Sequence, residues 1–347
     1  MQRTRLCLHF FFLLALVVTG NTSIAQPEWN APLTEHSQPD LQGVWYFGTN
    51  TPFTRPDELG DQKVYTLDEA KKIEEDMRRT NKAQDLPLDP NRPAPEIGAY
   101  IGFEADYNFA TKRNSLNQVN GQYRTSLVIE PANGQIPLRE NFDDFHDDRK
   151  ARGIETYDGP EAQDASERCL SGGLAVPSLY PMPWNANLQI VQNETYVMIM
   201  TEMNHDARII RLSGSHDSNN FNSWMGDSIG LWEGDTLVVH TVNFRPEQSN
   251  FLMAMSEQFE LTERFQRVSK TEIVYRYTVN DPLAYSQPFT VERTIALRGP
   301  DQLIFEVACH EGNYSMAGVL AGTRRVESKA KKKKKEEQKE EQEIGEQ

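Results

Sequence analysis

One stretch constrains the fold more than any other: residues 228–244, which read SIGLWEGDTLVVHTVNF. Two apolar runs flank Glu233-Gly234-Asp235, and their β-branched and aromatic residues favour extended backbone. A glycine between two such runs supplies the positive φ that a tight turn requires. The stretch therefore predicts a β-hairpin.

The same pattern recurs through the second half of the chain, where short apolar runs alternate with turn residues. Further strands are predicted at residues 44–47, 124–130, 188–192, 195–201, 207–212, 259–268, 271–279, 289–297 and 303–310. Sequential strands joined by short turns form an antiparallel up-and-down meander, and about ten strands in a row must close or stack to hide their edges. The fold class expected is mainly β: a lipocalin-like barrel or a strongly bent sheet.

The N-terminal part has a different period. Thr66 and Glu69 have the spacing of a capping box, and Leu67, Ala70 and Ile73 fall on one side of a helix within residues 57–80. Residues 85–122 are rich in Pro, Asn and Asp. We therefore expect one short amphipathic helix and long irregular N-terminal segments.

The two ends of the chain differ from its middle. Residues 1–25 have a basic start, a short apolar core and small residues near a plausible cleavage point, which is typical of a secretory signal peptide. Residues 327–347 are almost entirely Lys, Glu and Gln, so a disordered charged tail is expected. A single β-rich domain is predicted between them, over residues 26–326.

Charge and cysteine content limit the kinds of partner that the protein can bind and indicate its cellular compartment. The net charge of −15 becomes −17 once Arg3 and Arg5 leave with the signal peptide, and an acidic exported protein is a poor nucleic-acid binder. No later stretch is apolar enough for stable membrane insertion. We expect a periplasmic or secreted protein, in which Cys169 and Cys309, the two cysteines left after cleavage, form a disulfide.

Several segments of the chain resemble a widespread group of secreted bacterial β-proteins. These segments are PDLQGVW, RTSLVIEPANGQIPL, ERCL, IVQNETYVMIMTE, IGLWEGDTLVVHTVNF, LTERFQRVSKTEIVYRYTVNDP and ACHEGNYSMAGVLAGTRR. The group carries no reaction that transfers to particular positions. The Gly43-Val44-Trp45 opening is also similar to that of lipocalin-like (calycin) barrels, in which the tryptophan packs across the barrel floor.

The strand period places one carboxylate among apolar residues. Glu263 shares a strand face with Leu261 and Phe265, so it is expected to point inward, where it needs a partner or a proton. Arg124, Tyr275 or Tyr277 is a candidate partner. Glu263 is therefore either half of a structural ion pair or a ligand-binding or catalytic carboxylate.

Other polar residues are weaker candidates. His240 lies on an apolar-flanked strand face, and His310 ends the last predicted strand; both are candidate catalytic residues beside Glu263. Glu202 and Arg208 lie near a hairpin tip as possible ligand contacts, together with Arg124, Tyr275 and Tyr277. No metal-binding spacing and no cofactor motif occurs, so we expect neither metal nor cofactor.

Two functions remain open at this point. The first is a barrel that binds a small hydrophobic or aromatic molecule in an interior rich in Met, Tyr and Phe. The second is a cofactor-independent isomerase, lyase or hydrolase that uses an inward Glu/His acid-base pair. The sequence leaves the ligand, the enzymatic status and the oligomeric state open.

Overall fold

The computed structural model describes residues 29–84, 91, 93, 115–140, 152–155, 157–163, 165–171, 186–217, 221–249, 253–311 and 313–345. The predicted signal peptide and most of the irregular segment 85–122 lie outside these residues. The strands are β1 (Gly43–Tyr46), β2 (Val64–Tyr65), β3 (Gln118–Val119), β4 (Gln122–Arg124), β5 (Val128–Glu130), β6 (Asn187–Gln192), β7 (Tyr196–Thr201), β8 (Ala207–Arg211), β9 (Asp227–Glu233), β10 (Thr236–Val242), β11 (Glu260–Arg267), β12 (Glu272–Asn280) and β13 (Phe289–Leu297).

Nine strands close into a barrel, which confirms the mainly β fold class. The order around the ring is β1-β6-β7-β8-β9-β10-β11-β12-β13, and β13 pairs back onto β1. β5 pairs with the same edge of β13 as β1 does, but near the start of β13 instead of its end. β2, β4 and β3 form a small separate sheet. The hairpin that the sequence predicts most clearly is β9–β10, with Gly234 at a φ of +64° in its turn.

The barrel differs from a purely antiparallel meander at one junction. β8 and β9 are parallel, with Ile210 opposite Ser228 and Arg211 opposite Ile229. Parallel neighbours need a long connection, and residues 212–226 supply it. The expected short turns join β6 to β7, β7 to β8, β9 to β10 and β11 to β12, but they do not join β8 to β9.

The predicted strand at residues 303–310 is wrong. The segment is irregular, and Leu303 and Phe305 are about two-thirds exposed (65% and 68%). On the edge that faces away from β12, β13 already pairs with β1 and β5, so the segment cannot add to the sheet beside β13. Alternating apolar residues alone do not make a strand without such a partner.

Two α-helices are described, α1 (Leu67–Gln84) and α2 (Ser315–Gly345). The capping box at the start of α1 is confirmed, since the Glu69 backbone N–H donates to Thr66 Oγ1 at 3.3 Å and the Thr66 N–H donates to Glu69 Oε2 at 2.7 Å. Helix α2 covers most of the segment for which the sequence predicts a disordered tail. Up to residue 338 its charged residues are almost all exposed.

The core lies inside the barrel. Its apolar strand residues lie at every second position of their strands, as the two-residue period requires. They include Leu188, Ile190, Val197, Ile199, Ile210, Leu237, Val239, Leu261, Phe265, Ile273, Val279, Val291 and Ile295.

Trp45 is part of this core and is fully buried. Its indole N–H donates to Leu41 O at 2.9 Å, and the Arg267 guanidinium lies 5.5 Å from the ring centroid. Arg267 also donates to the backbone carbonyls of Asp40 (2.7 Å) and Lys270 (3.0 Å). This cation–π contact joins β1 to β11.

No helix in the described part of the chain is long and apolar enough to cross a membrane.

Candidate functional site

The barrel interior contains a buried ion pair. Arg208 from β8 and Glu263 from β11 form two parallel hydrogen bonds, of 2.5 Å (Nη1 to Oε2) and 2.8 Å (Nη2 to Oε1). Tyr275 donates its hydroxyl to Glu263 Oε1 at 2.8 Å. All three side chains are essentially inaccessible to solvent. Because β9 and β10 lie between the two charged strands, the pair spans the lumen.

Burial and charge shift the ionisation of this cluster. The pKa of the Tyr275 hydroxyl is raised well above its usual value, mainly by burial and further by the negative charge of Glu263. Burial alone would lower the pKa of Arg208, but the Glu263 carboxylate outweighs it and the net shift is upward. Arg208 is thus a permanent cation whose hydrogen bonds depend on Glu263.

Two further polar residues of the interior adjoin this cluster. Tyr277 is 1% exposed, with its ring centroid 5.4 Å from that of Tyr275. Arg293 is fully buried and lies over the Phe47 ring at 5.8 Å. Sequence reasoning missed Arg293, although its alternation with Val291 is the same signal that places Glu263 inside.

Arg124 lies elsewhere. Its Nη2 donates to Glu292 Oε1 at 2.5 Å, and Arg276 Nε donates to the other oxygen of Glu292 at 3.1 Å. Glu292 alternates with the inward residues of β13, so this triad is on the outside of the barrel, where the small sheet meets it. The partner of Glu263 is therefore Arg208, together with Tyr275, and not Arg124.

The remaining candidates do not converge with Glu263. Glu202 is 6% exposed and accepts a 2.7 Å hydrogen bond from Asn187 Nδ2. His310 is exposed in the irregular segment before α2. His240 is on the outer face, because it pairs with Thr262 while Glu263 pairs with the inward residue Val239. The structure thus forms no inward acid-base pair between Glu263 and His240.

On the outer face, His240 belongs to a chain of polar side chains. His240 Nδ1 lies 2.9 Å from His216 Nε2, and His216 Nδ1 lies 3.1 Å from Asp227 Oδ2. Arg211 Nη2 donates to Asp227 Oδ1 at 2.6 Å, and the backbone N–H of Asp217 donates to Asp227 Oδ2 at 2.8 Å. We call Arg211, His216, Asp227 and His240 the outer polar chain.

Hydrogen-bond chemistry assigns one hydrogen to each contact that the two histidines of the outer polar chain make. A carboxylate only accepts hydrogen bonds, so His216 Nδ1 carries a hydrogen, and the contact with His240 needs one hydrogen between the two facing nitrogens. If both facing nitrogens carried a hydrogen, two N–H groups would point at each other and no hydrogen bond could form. Burial, followed by the charge of His216, lowers the pKa of His240, which Glu260 partly opposes. The sequence held no signal for this chain, since His216 and Arg211 come from different segments than His240.

Beside this chain, the outer face has an apolar cleft with a volume of about 340 Å³. Val191, Met198 and Ile209 form a row across β6, β7 and β8, since Val191 pairs with Met198 and Met198 with Ile209. Tyr196, two residues before Met198 on β7, also lines the cleft, together with Gln192 and Asn193. The side chains of Val191, Tyr196 and Ile209 are 41–51% exposed.

The disulfide prediction is confirmed: Cys169 and Cys309 are bonded, with their Cα atoms 5.7 Å apart. It ties the segment before α2 to the loop at residues 165–171. Within the residues that the structure describes, no three His, Cys, Asp or Glu side chains are grouped to hold a metal ion.

No protein-family model, curated protein or solved structure matches the chain. The class that fold and site define is therefore a closed β-barrel with a disulfide, a buried ion pair in its lumen and an apolar cleft on its outer face. The resemblances to secreted bacterial β-proteins and to lipocalins stay interpretations of the sequence.

Proposed function

We propose that this protein is exported to the periplasm or the cell exterior and that it binds a small hydrophobic or aromatic molecule. The apolar cleft carries this proposal. Its volume of about 340 Å³ is within the range of roughly 300–1,000 Å³ that small-molecule sites occupy, and such sites are lined mainly by apolar side chains. Isolated exposed apolar residues are ordinary on a surface, but here they form one concave row.

The interior supports this function less well at the described positions. Glu263 is already engaged by Arg208 and Tyr275, and a ligand that used it would have to displace a two-pronged buried ion pair. The neighbouring inward residues belong to one contiguous apolar core. The cleft needs no such rearrangement, because its side chains already face solvent.

Binding is testable with N-phenyl-1-naphthylamine, a neutral aromatic probe that becomes fluorescent in apolar surroundings. We expect saturable binding to the native protein. Ile209→Glu should weaken it at least about tenfold, because a bound apolar ring would desolvate the new carboxylate. Leu231→Glu is the matched control: Leu231 and Ile209 are both 51% exposed on the outer face of neighbouring strands, but Leu231 is not in the cleft.

The control must bind the probe like the wild type, with both variants melting normally. Probe binding that is absent, or that both variants reduce equally, overturns the cleft as the site. Export is tested separately by the N-terminal sequence of the protein recovered from the producing cells, which should begin near residue 26. A retained N-terminal segment in the soluble fraction contradicts it.

The outer polar chain favours one alternative, an enzyme that removes a proton. His216 Nδ1–H donates to Asp227. In the neutral pair His240 Nδ1–H donates to His216 Nε2, so His240 Nε2 carries no hydrogen and is the base. The probe 5-nitrobenzisoxazole loses its C3 proton to a base as its N–O bond breaks, releasing a coloured phenolate. Turnover that His240→Gln abolishes and His36→Gln leaves unchanged supports this function; a rate equal to that of buffer removes it.

A further inference from the structure

We propose that the ligand of the apolar cleft carries an anionic group, a carboxylate or sulfonate, and that Arg211 at the rim of the cleft binds it. This inference rests on the proposed function and specifies the chemical class of the ligand. It assigns Arg211 as the residue that determines specificity.

The strand register places Arg211 beside the cleft. Tyr196, which lines the cleft, pairs directly with Arg211, and directly opposed residues have Cβ atoms about 4.5–5.5 Å apart on the same face. Arg211 also follows Ile209 by two positions on β8, so the two side chains project to the same side. A ring held against Tyr196 and Ile209 therefore has the guanidinium of Arg211 within reach of a short substituent.

Arg211 has donors to spare. Its Nη2 donates to Asp227 Oδ1 (2.6 Å) and to Ser215 O (3.3 Å). Among the described residues, Nε and Nη1 have no hydrogen-bond partner, and the side chain is 38% exposed. A guanidinium presents its N–H groups in a planar fork that matches the two oxygens of a carboxylate or sulfonate.

The surrounding charges decide how strongly an anion is held. Asp227 offsets Arg211, but it also accepts hydrogen bonds from His216 and from the Asp217 N–H, so its charge is shared among three donors. Protonation of His240 makes the outer polar chain net positive, since Arg211 and Asp227 offset each other. Within the described residues, Asp217, which follows His216, and Glu260 at the start of β11 are ionisable groups near the outer polar chain.

The test compares two probes that differ by one group: 8-anilino-1-naphthalenesulfonate, which is anionic, and N-phenyl-1-naphthylamine, which is neutral. Arg211→Gln should weaken the anionic probe roughly tenfold, the loss expected for hydrogen bonds to a charged group. The neutral probe should change less than about twofold, since apolar contacts remain. Arg264→Gln is the control, because Arg264 is an outer-face arginine on β11 that pairs with Glu233 away from the cleft.

Acidification gives a second readout. The sulfonate stays ionised throughout, so protonation of His240, whose pKa is lowered from 6.5 by burial, should tighten the anionic probe as the pH falls below about 6.5 and leave the neutral probe unchanged. His240→Gln should flatten this dependence. Competition by decanoate, but not by 1-decanol at equal concentration, would extend the result from sulfonate to carboxylate.

The outcomes separate the two proposals. If neither probe binds, the cleft is not a ligand site and the proposed function fails. If the neutral probe binds and Arg211→Gln weakens both probes equally, or neither, the cleft binds ligands without a preference for anions. That result overturns the role of Arg211 and leaves the proposed function standing.

Discussion

The substitution Glu263→Gln tests the buried ion pair most directly. Glutamine keeps the size of glutamate and an oxygen that accepts from Tyr275, but it removes the charge that faces Arg208. Arg208 is 1% exposed, and both of its hydrogen bonds go to Glu263. The variant therefore leaves a guanidinium buried without a counter-charge.

The expected cost follows from that burial. Breaking a buried ion pair by removing one partner destabilises proteins by about 3–5 kcal/mol, because the remaining charge cannot be solvated. For a large domain 1 kcal/mol corresponds to roughly 2–4 °C, so the melting temperature should fall by about 6–20 °C. Removing the second charge as well, in Arg208→Met/Glu263→Gln, should recover a large part of the loss, since no buried charge is then unpaired.

Thermal melts and urea titrations of the three proteins measure these differences. Glu233→Gln is the matched control, because it makes the same change in a Glu–Arg pair whose side chains are 51% and 41% exposed, and such pairs contribute at most about 1 kcal/mol. A loss below about 1 kcal/mol in Glu263→Gln, or a double variant less stable than the single one, refutes the reasoning. A single variant that melts normally but loses ligand binding would instead place Glu263 in a site.

Three further results are expected. Replacing Cys169 and Cys309 by serine should cost about 5 kcal/mol in urea titrations, the chain-entropy value for a loop of 140 residues; a loss under about 1 kcal/mol contradicts it. Removing residues 329–347 should shift the melting temperature by less than about 2 °C, because that part of α2 exposes nearly all its side chains up to residue 338; a larger drop shows that it docks. Because burial lowers the pKa of His240 from 6.5, the unfolded chain binds its proton more tightly, so this contribution to stability is present above about pH 6.5 and is lost as the pH falls below that. His240→Gln should therefore reduce the fall in melting temperature between about pH 7 and 5, and equal slopes count against it.

The parts of the fold that local patterns encode were predictable. Strand period and turn residues placed β6 to β13 within a residue or two, and the capping box placed the start of α1. The two cysteines that remain after the predicted signal peptide were enough to predict the Cys169–Cys309 bond. Each of these follows from residues that are close in sequence or from a choice with one possible answer.

The parts of the fold and of the site that depend on residues brought together only by folding were not predictable from the sequence. The parallel junction of β8 and β9 follows from how the connection 212–226 runs, which no residue period reports. Arg208 sits next to a hairpin tip in sequence, so nothing local indicates that it crosses the lumen to Glu263. The outer polar chain joins residues of β8, β9, β10 and a loop, and its members only become neighbours once the barrel is closed.

The strand ladders divide the barrel wall into two curved shells. The ladders at β1–β13 and β8–β9 each hold only two residue pairs, whereas every other junction of the ring has more. One shell comprises β1, β6, β7 and β8, and the other comprises β9 to β13.

Side-chain contacts connect the two shells, between which the backbone ladders are short. Arg208–Glu263 and Trp45–Arg267 bridge the shells through the lumen, and Arg211–Asp227 spans the β8–β9 junction from outside. Each of these three connections pairs an arginine of one shell with an acidic or aromatic residue of the other. Arginine side chains therefore supply contacts between the two shells that the backbone ladders supply sparsely, and a ligand that competes with Asp227 for Arg211 would weaken one of these contacts at the two-pair β8–β9 ladder.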